Sequence, residues 1–143
     1  MSRASPPPTY DQIADEDGQV KLSWLQFFDN VYQGDNGNNW TPTFVSLTVS
    51  GTPTITGRYY RITRNLIYFS IRIVPATNTT STAGTTYCDN FPFTVAQDGA
   101  CLSVAGNSGG SSGMVTTGNN RIYVPGWSAV TIPLTIIGLA EVT

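Results

Sequence analysis

The 143-residue chain contains no histidine, which removes every Ser-His and Cys-His nucleophilic arrangement. Cysteine is scarce as well. Cys88 and Cys101 are too few for a disulfide framework, and their spacing matches no zinc pattern. They read as two small buried hydrophobes in preference to a single bridge, and no metal site is expected. Charged residues make up 11% of the chain, less than half the usual share. The net charge of −2 supplies no basic field for nucleic acid and no polybasic segment for a membrane surface. No apolar run reaches the length of a membrane-spanning helix, and the N-terminus lacks a signal-peptide core. The expectation is a protein made in the cytoplasm, with no membrane insertion. Carboxylates are also sparse: after residue 40 only Asp89, Asp98 and Glu141 remain. A glycosidase needs two carboxylates about 5–10 Å apart. Asp89 and Asp98, flanking Phe91-Pro92-Phe93, read instead as solvated turn residues. No catalytic residue and no cofactor is expected.

What the chain does have is β pattern. In the stretch 57–73, Ile67, Phe69, Ile71 and Ile73 alternate with Leu66, Tyr68, Ser70 and Arg72, the period of a half-buried strand. Tyr59 and Arg61 alternate with Arg58, Tyr60 and Ile62 before a polar break at Thr63-Arg64-Asn65. A long antiparallel hairpin follows from that pattern. From Trp40 onward, short β segments recur at about 8–12-residue intervals, as a sandwich or barrel requires. Strands are expected near 43–50, 53–62, 65–74, 85–88, 99–105, 112–117, 120–124 and 133–142. The stretch 76–86, rich in Thr and Ser, reads as an exposed loop, and 106–113 as a flexible tip. Pro133 marks the start of an apolar closing strand, central by composition.

The first 39 residues differ in kind. Residues 1–19 carry Pro6, Pro7 and Pro8 and then four carboxylates, and read either as a disordered acidic tail or, in preference, as an extended arm that orders along another protein with Tyr10 and Ile13 as apolar anchors. Residues 20–39 read as a short strand, a helix over 24–33 and a Gly/Asn linker. Ser23 and Gln26 fit a capping box. Trp24, Leu25, Phe27, Phe28 and Tyr32 put too much apolar surface on so short a helix for it to stand alone. Its partner is either the β-domain of its own chain or symmetry mates around an axis. Residues 1–40 hold six of the nine acids, which leaves the remainder at +2 and makes attraction between arm and domain, or between subunits, reasonable.

Three further motifs stand in order. Trp40-Thr41-Pro42 precedes Thr56-Gly57-Arg58-Tyr59-Tyr60-Arg61-Ile62, and Asn90-Phe91-Pro92-Phe93 follows the hydrophobic strand. Together they resemble the distal β-domain of bacteriophage tail fibres and related virion appendages, over roughly residues 40–143. The chain departs from that pattern in two places. The family usually has Gly near Thr63-Arg64, and Gly-Leu-Pro-Phe where this chain has Asn-Phe-Pro-Phe. The resemblance implies an antiparallel β-sandwich, jelly-roll-like and homotrimeric, attached to the virion through residues 1–33 and assembled in the bacterial host cytoplasm. Trp24, Phe27, Phe28, Arg58 and Arg61 are then the expected subunit contacts. The β-domain, residues 40–143, would face outward toward a host surface glycan or protein.

An exposed aromatic face stacks on a pyranose, and amide and hydroxyl side chains match its hydroxyls. Trp127, Tyr123, Tyr87 and Tyr68 are the candidates here, with Trp127 also open to a place folded back over the core. Two other roles fit the same features. One is a capsid decoration protein clamping neighbouring capsid subunits, which the chain's short length from Met1 suits. The other is a free lectin module, which the arm and the missing signal disfavour.

Overall fold

The computed structural model describes residues 14, 16–26, 37–105 and 111–143. The chain divides into two units, Met1–Asn36 and Gly37–Thr143. In the first, Ala14 and Val20 form an isolated antiparallel bridge, and a helix begins at Leu22 and is described as far as Gln26. The amides of Trp24 and Leu25 both donate to the Lys21 carbonyl at 3.0 Å. Lys21 therefore stands where the cap would be, and Ser23 lies inside the first turn, which corrects the capping-box reading. The expected anchors Pro6, Pro7, Pro8, Tyr10 and Ile13, and the helix residues Phe27 and Phe28, lie outside the described residues.

The second unit is all β. Its strands are β1 (Asn38–Trp40), β2 (Phe44–Val45), β3 (Thr48–Ser50), β4 (Thr54–Arg61), β5 (Leu66–Val74), β6 (Asn78–Ser81), β7 (Tyr87–Cys88), β8 (Val95–Gln97), β9 (Gly99–Ala105), β10 (Ser112–Thr116), β11 (Arg121–Tyr123), β12 (Trp127–Val130) and β13 (Leu134–Val142). The large sheet runs β1-β4-β5-β13-β9-β10-β11-β7-β2, with β8 paired to β13, and a small sheet runs β12-β6-β3. Every pairing is antiparallel.

The large sheet curls, and connectivity shows why. Its edge strands, β1 and β2, are joined by Thr41, Pro42 and Thr43 alone. Four Cα–Cα steps span at most about 14 Å, whereas the edges of a flat sheet of this order would lie about 38 Å apart. Side chains from both ends of the sheet meet at the resulting seam. Trp40 of β1 packs on Phe91 with centroids 6.0 Å apart, and Phe93 meets Tyr59 of β4 edge-on at 4.8 Å. Polar groups lock the link: the Thr43 amide donates to Asn90 Oδ1 at 2.9 Å, and Asn90 Nδ2 donates to the Thr41 carbonyl at 2.8 Å. The Trp-Thr-Pro and Phe-Pro-Phe segments, some fifty residues apart in sequence, are one closure.

The core follows the alternation. Ile67, Phe69, Ile71 and Ile73 are fully buried on the inner face of β5, joined by Leu134, Ile136, Ala140 and Val142 of β13. Each such side chain contributes about 1.5–3 kcal/mol on burial. The expected hairpin is β4–β5, with Arg61 facing Ile67 and the chain reversing through 62–65. The closing strand β13 is central, between β5 and β9.

Elsewhere the pattern misleads. Ser46 takes a φ of 59°, so the single strand expected over 43–50 is two, one in each sheet. The stretch 76–86 is not an exposed loop: it holds β6, and Thr79, Ser81 and Thr86 are buried. Their hydroxyls are satisfied internally, Ser81 Oγ donating to the Pro125 carbonyl and Thr86 Oγ1 to the Ser46 carbonyl. The β unit also begins at Gly37, with Asn38 and Asn39, in the stretch read as linker, paired to Tyr59 and Arg58.

Candidate functional site

Because strand side chains alternate, each inward residue fixes an outward neighbour. On the outer face of the large sheet, cross-strand register sets Tyr60 opposite Tyr68, and Tyr68 opposite Leu139. Further round, Met114 faces Tyr123, Tyr123 faces Tyr87, and Tyr87 faces Val45. One aromatic and apolar row therefore crosses the sheet at right angles to its strands.

At one end of that row, two of the expected sugar-binding residues come together. Tyr87 and Tyr123 have ring centroids 5.2 Å apart, inclined at 49°. Arg121, two residues before Tyr123 and so on the same face, lays its guanidinium over Tyr87, with Cζ 4.1 Å from the ring centroid. Its Nη1 donates to the Tyr123 hydroxyl at 3.5 Å, the long limit of such a bond. That contact raises the Arg121 pKa and lowers that of Tyr123, which the Asn119 side chain lowers further.

Tyr68 lies elsewhere on the row. Four strand intervals, about 19 Å along the sheet, separate its strand from that of Tyr123. Its ring meets that of Tyr60 at a centroid distance of 5.9 Å, inclined at 41°, and Arg58 sits 5.5 Å over Tyr60. Trp127 belongs to the small sheet, half-buried against the core, with its backbone amide donating to Ser81 Oγ at 3.1 Å and Nε1 to Thr79 Oγ1 at 3.4 Å. It is committed to the fold, on the side of the open alternative that folds it back. The segments 76–86 and 125–129 meet as paired strands, with Trp127 opposite Ser81.

Of the expected subunit contacts, Trp24 is half-buried in the helix of the first unit. Arg58 is exposed on the outer face of β4. Arg61 turns toward its own hairpin, 5.4 Å over Phe93 and donating from Nη1 to the Arg64 carbonyl. Overlapping that row at Met114 and Leu139 lies a strip the sequence reading did not identify. Leu102 (48% exposed), Val104 (43%), Met114 (51%) and Leu139 (48%) stand on neighbouring strands β9, β10 and β13. Ile137 faces Leu102 across the same ladder.

Asp89 and Asp98 each accept a hydrogen bond within the fold. Thr43 Oγ1 donates to Asp89 Oδ1 at 2.5 Å, and the Thr117 amide donates to Asp98 Oδ1 at 2.7 Å. Both thiols are buried and free, and burial pushes each pKa up to about 11, which keeps them protonated and poorly nucleophilic. Among the described residues, no group of three or more Cys, Asp or Glu gathers to hold a metal ion.

Arg121 went unread as a site residue although its signal was present. Arg121-Ile122-Tyr123 places Arg and Tyr on one face of any strand through it. What sequence cannot supply is the register that brings Tyr87 alongside. Comparison with protein-family models, with curated proteins and with solved structures finds no match, so a functional assignment rests on this chain's own residues.

Proposed function

We propose that the chain is a structural subunit of a bacteriophage virion appendage, a tail fibre or its relative. Residues 1–33 anchor it to other virion proteins, and the β unit is turned outward to hold a host surface glycan. The observation that carries this reading is the outer face of the large sheet, which sets an aromatic cluster suited to a sugar beside an apolar strip suited to another protein. Isolated exposed apolar residues are ordinary, but a contiguous strip on three adjacent strands marks a contact surface.

The finer architecture belongs to the same proposal. β13 returns from the end of the chain to lie between β5 and β9, the long return on which Greek-key and jelly-roll folds are built. Threefold assembly would cover the strip, and three weak glycan sites on one particle gain avidity without any one binding tightly. The strip also favours a second reading, a decoration protein clamping capsid subunits.

Two measurements test this. Immunogold labelling of purified virus particles is expected to place the chain on the tail. Label on the head would select the decoration reading, and particles carrying none would end both. Sedimentation of the full chain is expected to give a trimer, which Leu102→Asp with Leu139→Asp converts to monomer while circular dichroism is unchanged. A trimer that survives both substitutions would remove the strip as its interface.

A further inference from the structure

The Arg121 cluster narrows the chemistry of the ligand, on the footing that the outer face of the β unit holds a glycan. A neutral pyranose binds an aromatic side chain by lying on the ring face. At Tyr87 a face is taken, because the Arg121 guanidinium covers it at 4.1 Å. Stacking of that kind uses the flat of the guanidinium and leaves its edge available, since its N–H groups point outward in the plane. Of five such donors, one is directed to Tyr123 at 3.5 Å, and the rest have no partner among the described residues.

Among the described residues no carboxylate closes the site. Arg121 makes no ion pair with a described residue, and the charge of Asp89 is the weakest of the influences on it. The guanidinium is thus held in place by two tyrosines, charged, and open along the edge that pairs bidentately with a planar anion. Beside it stand two uncharged groups able to hydrogen bond: the Tyr123 hydroxyl, and Asn119, whose side chain accepts from Thr116 Oγ1.

We propose that this site reads a carboxylate-bearing sugar, a hexuronate unit of an acidic surface polysaccharide. The Arg121 fork clasps the carboxylate, while Tyr123 and Asn119 meet the ring hydroxyls. The tyrosines thereby act as a platform for the guanidinium more than as a stacking surface for the sugar.

Calorimetric titration of the full-length protein tests this with three probes: a galacturonate tetramer, a neutral galactose tetramer, and a sulfated heparin fragment. The galacturonate tetramer is expected to bind at least tenfold more tightly than either of the others. Arg121→Gln is expected to lose at least tenfold of that affinity. Arg121→Lys, which keeps the charge and loses the fork, is expected to lose several-fold. Thermal midpoints within a degree or two of the wild type certify the fold of each variant. Equal binding of the neutral tetramer, untouched by Arg121→Gln, would overturn the charge reading and leave a glycan site standing. Heparin binding as tight as galacturonate binding, or full binding by Arg121→Lys, would reduce the clasp to general attraction and overturn it. No binding of any probe would remove both the clasp and the glycan site beneath it.

Discussion

Phe69→Ala is expected to cost the β unit about 3–5 kcal/mol, measured by equilibrium unfolding in urea. That is a large part of the 5–15 kcal/mol or so on which a domain of this size stands. The site explains the size of the effect. Phe69 is fully buried on β5, between the ladders to β4 and β13, and its ring meets Phe91 at 5.4 Å. Directly across the ladder stands Gly138, where a Cβ would come within 2.6 Å of Phe69 Cζ and 2.9 Å of the Ala100 carbonyl oxygen. The ring thus fills the space that a side chain at 138 would take. When the ring goes, the glycine cannot fill the gap, and strands paired on both sides hold the cavity open. Gly138→Ala alone is expected to cost about 1–3 kcal/mol by overpacking. In the double variant the new methyl enters the vacated space, so the combined loss should fall short of the sum of the two. Strict additivity, or a Phe69→Ala cost below about 1.5 kcal/mol, would mean that ring and glycine do not share this space.

The same pair shows where sequence reasoning stops. The alternation of Ile67, Phe69, Ile71 and Ile73 is visible in the chain because it depends only on the two-residue period of a strand. That Phe69 faces Gly138, or that Trp40 faces Gly57, depends on register between segments far apart in sequence. Register is decided by the closed sheet as a whole. Tyr87 and Tyr123 were legible as aromatics able to meet a sugar, yet their pairing, and the Arg121 guanidinium above them, rests on the two-residue strand β7 finding β11. The β6 stretch was misread for a different reason. Asn78-Thr79-Thr80-Ser81 has the composition of a solvated loop, but hydroxyls can be buried when they find internal partners, as Thr79 does with Trp127 Nε1. Ser46 gave no warning either, since a left-handed serine leaves no compositional trace.

Between pH 9 and pH 11 the β unit is expected to lose stability through its two thiols. Cys88 and Cys101 ionise from a reference value of 9.0 in the open chain but from about 11 when folded. Burial is the main cause at both positions. At Cys88 the Asn90 backbone opposes it most, the Asp89 charge adds to it, and the Thr43 backbone and Trp40 side chain oppose it by less. At Cys101 the Gly113 backbone opposes burial, and the thiol itself donates to the Tyr123 carbonyl at 3.6 Å. A folded pKa above the unfolded one means that the folded chain holds protons the unfolded chain releases. The stabilisation is therefore whole below pH 9 and drains away as the pH climbs through 11. Two pH units correspond to about 2–3 kcal/mol per thiol, and the pair together rival the Phe69 ring. Tyr123 works the other way, since its lowered pKa favours the folded form as alkali is added, so the raw pH profile mixes opposing signs. Cys88→Ala and Cys101→Ala separate them. Urea midpoints at pH 8, 9, 10 and 11 should decline about half as steeply in each single variant as in the wild type, and the double variant should keep only the tyrosine contribution. A wild-type curve that stays flat to pH 11, with the double variant no different, would place both thiols in contact with water.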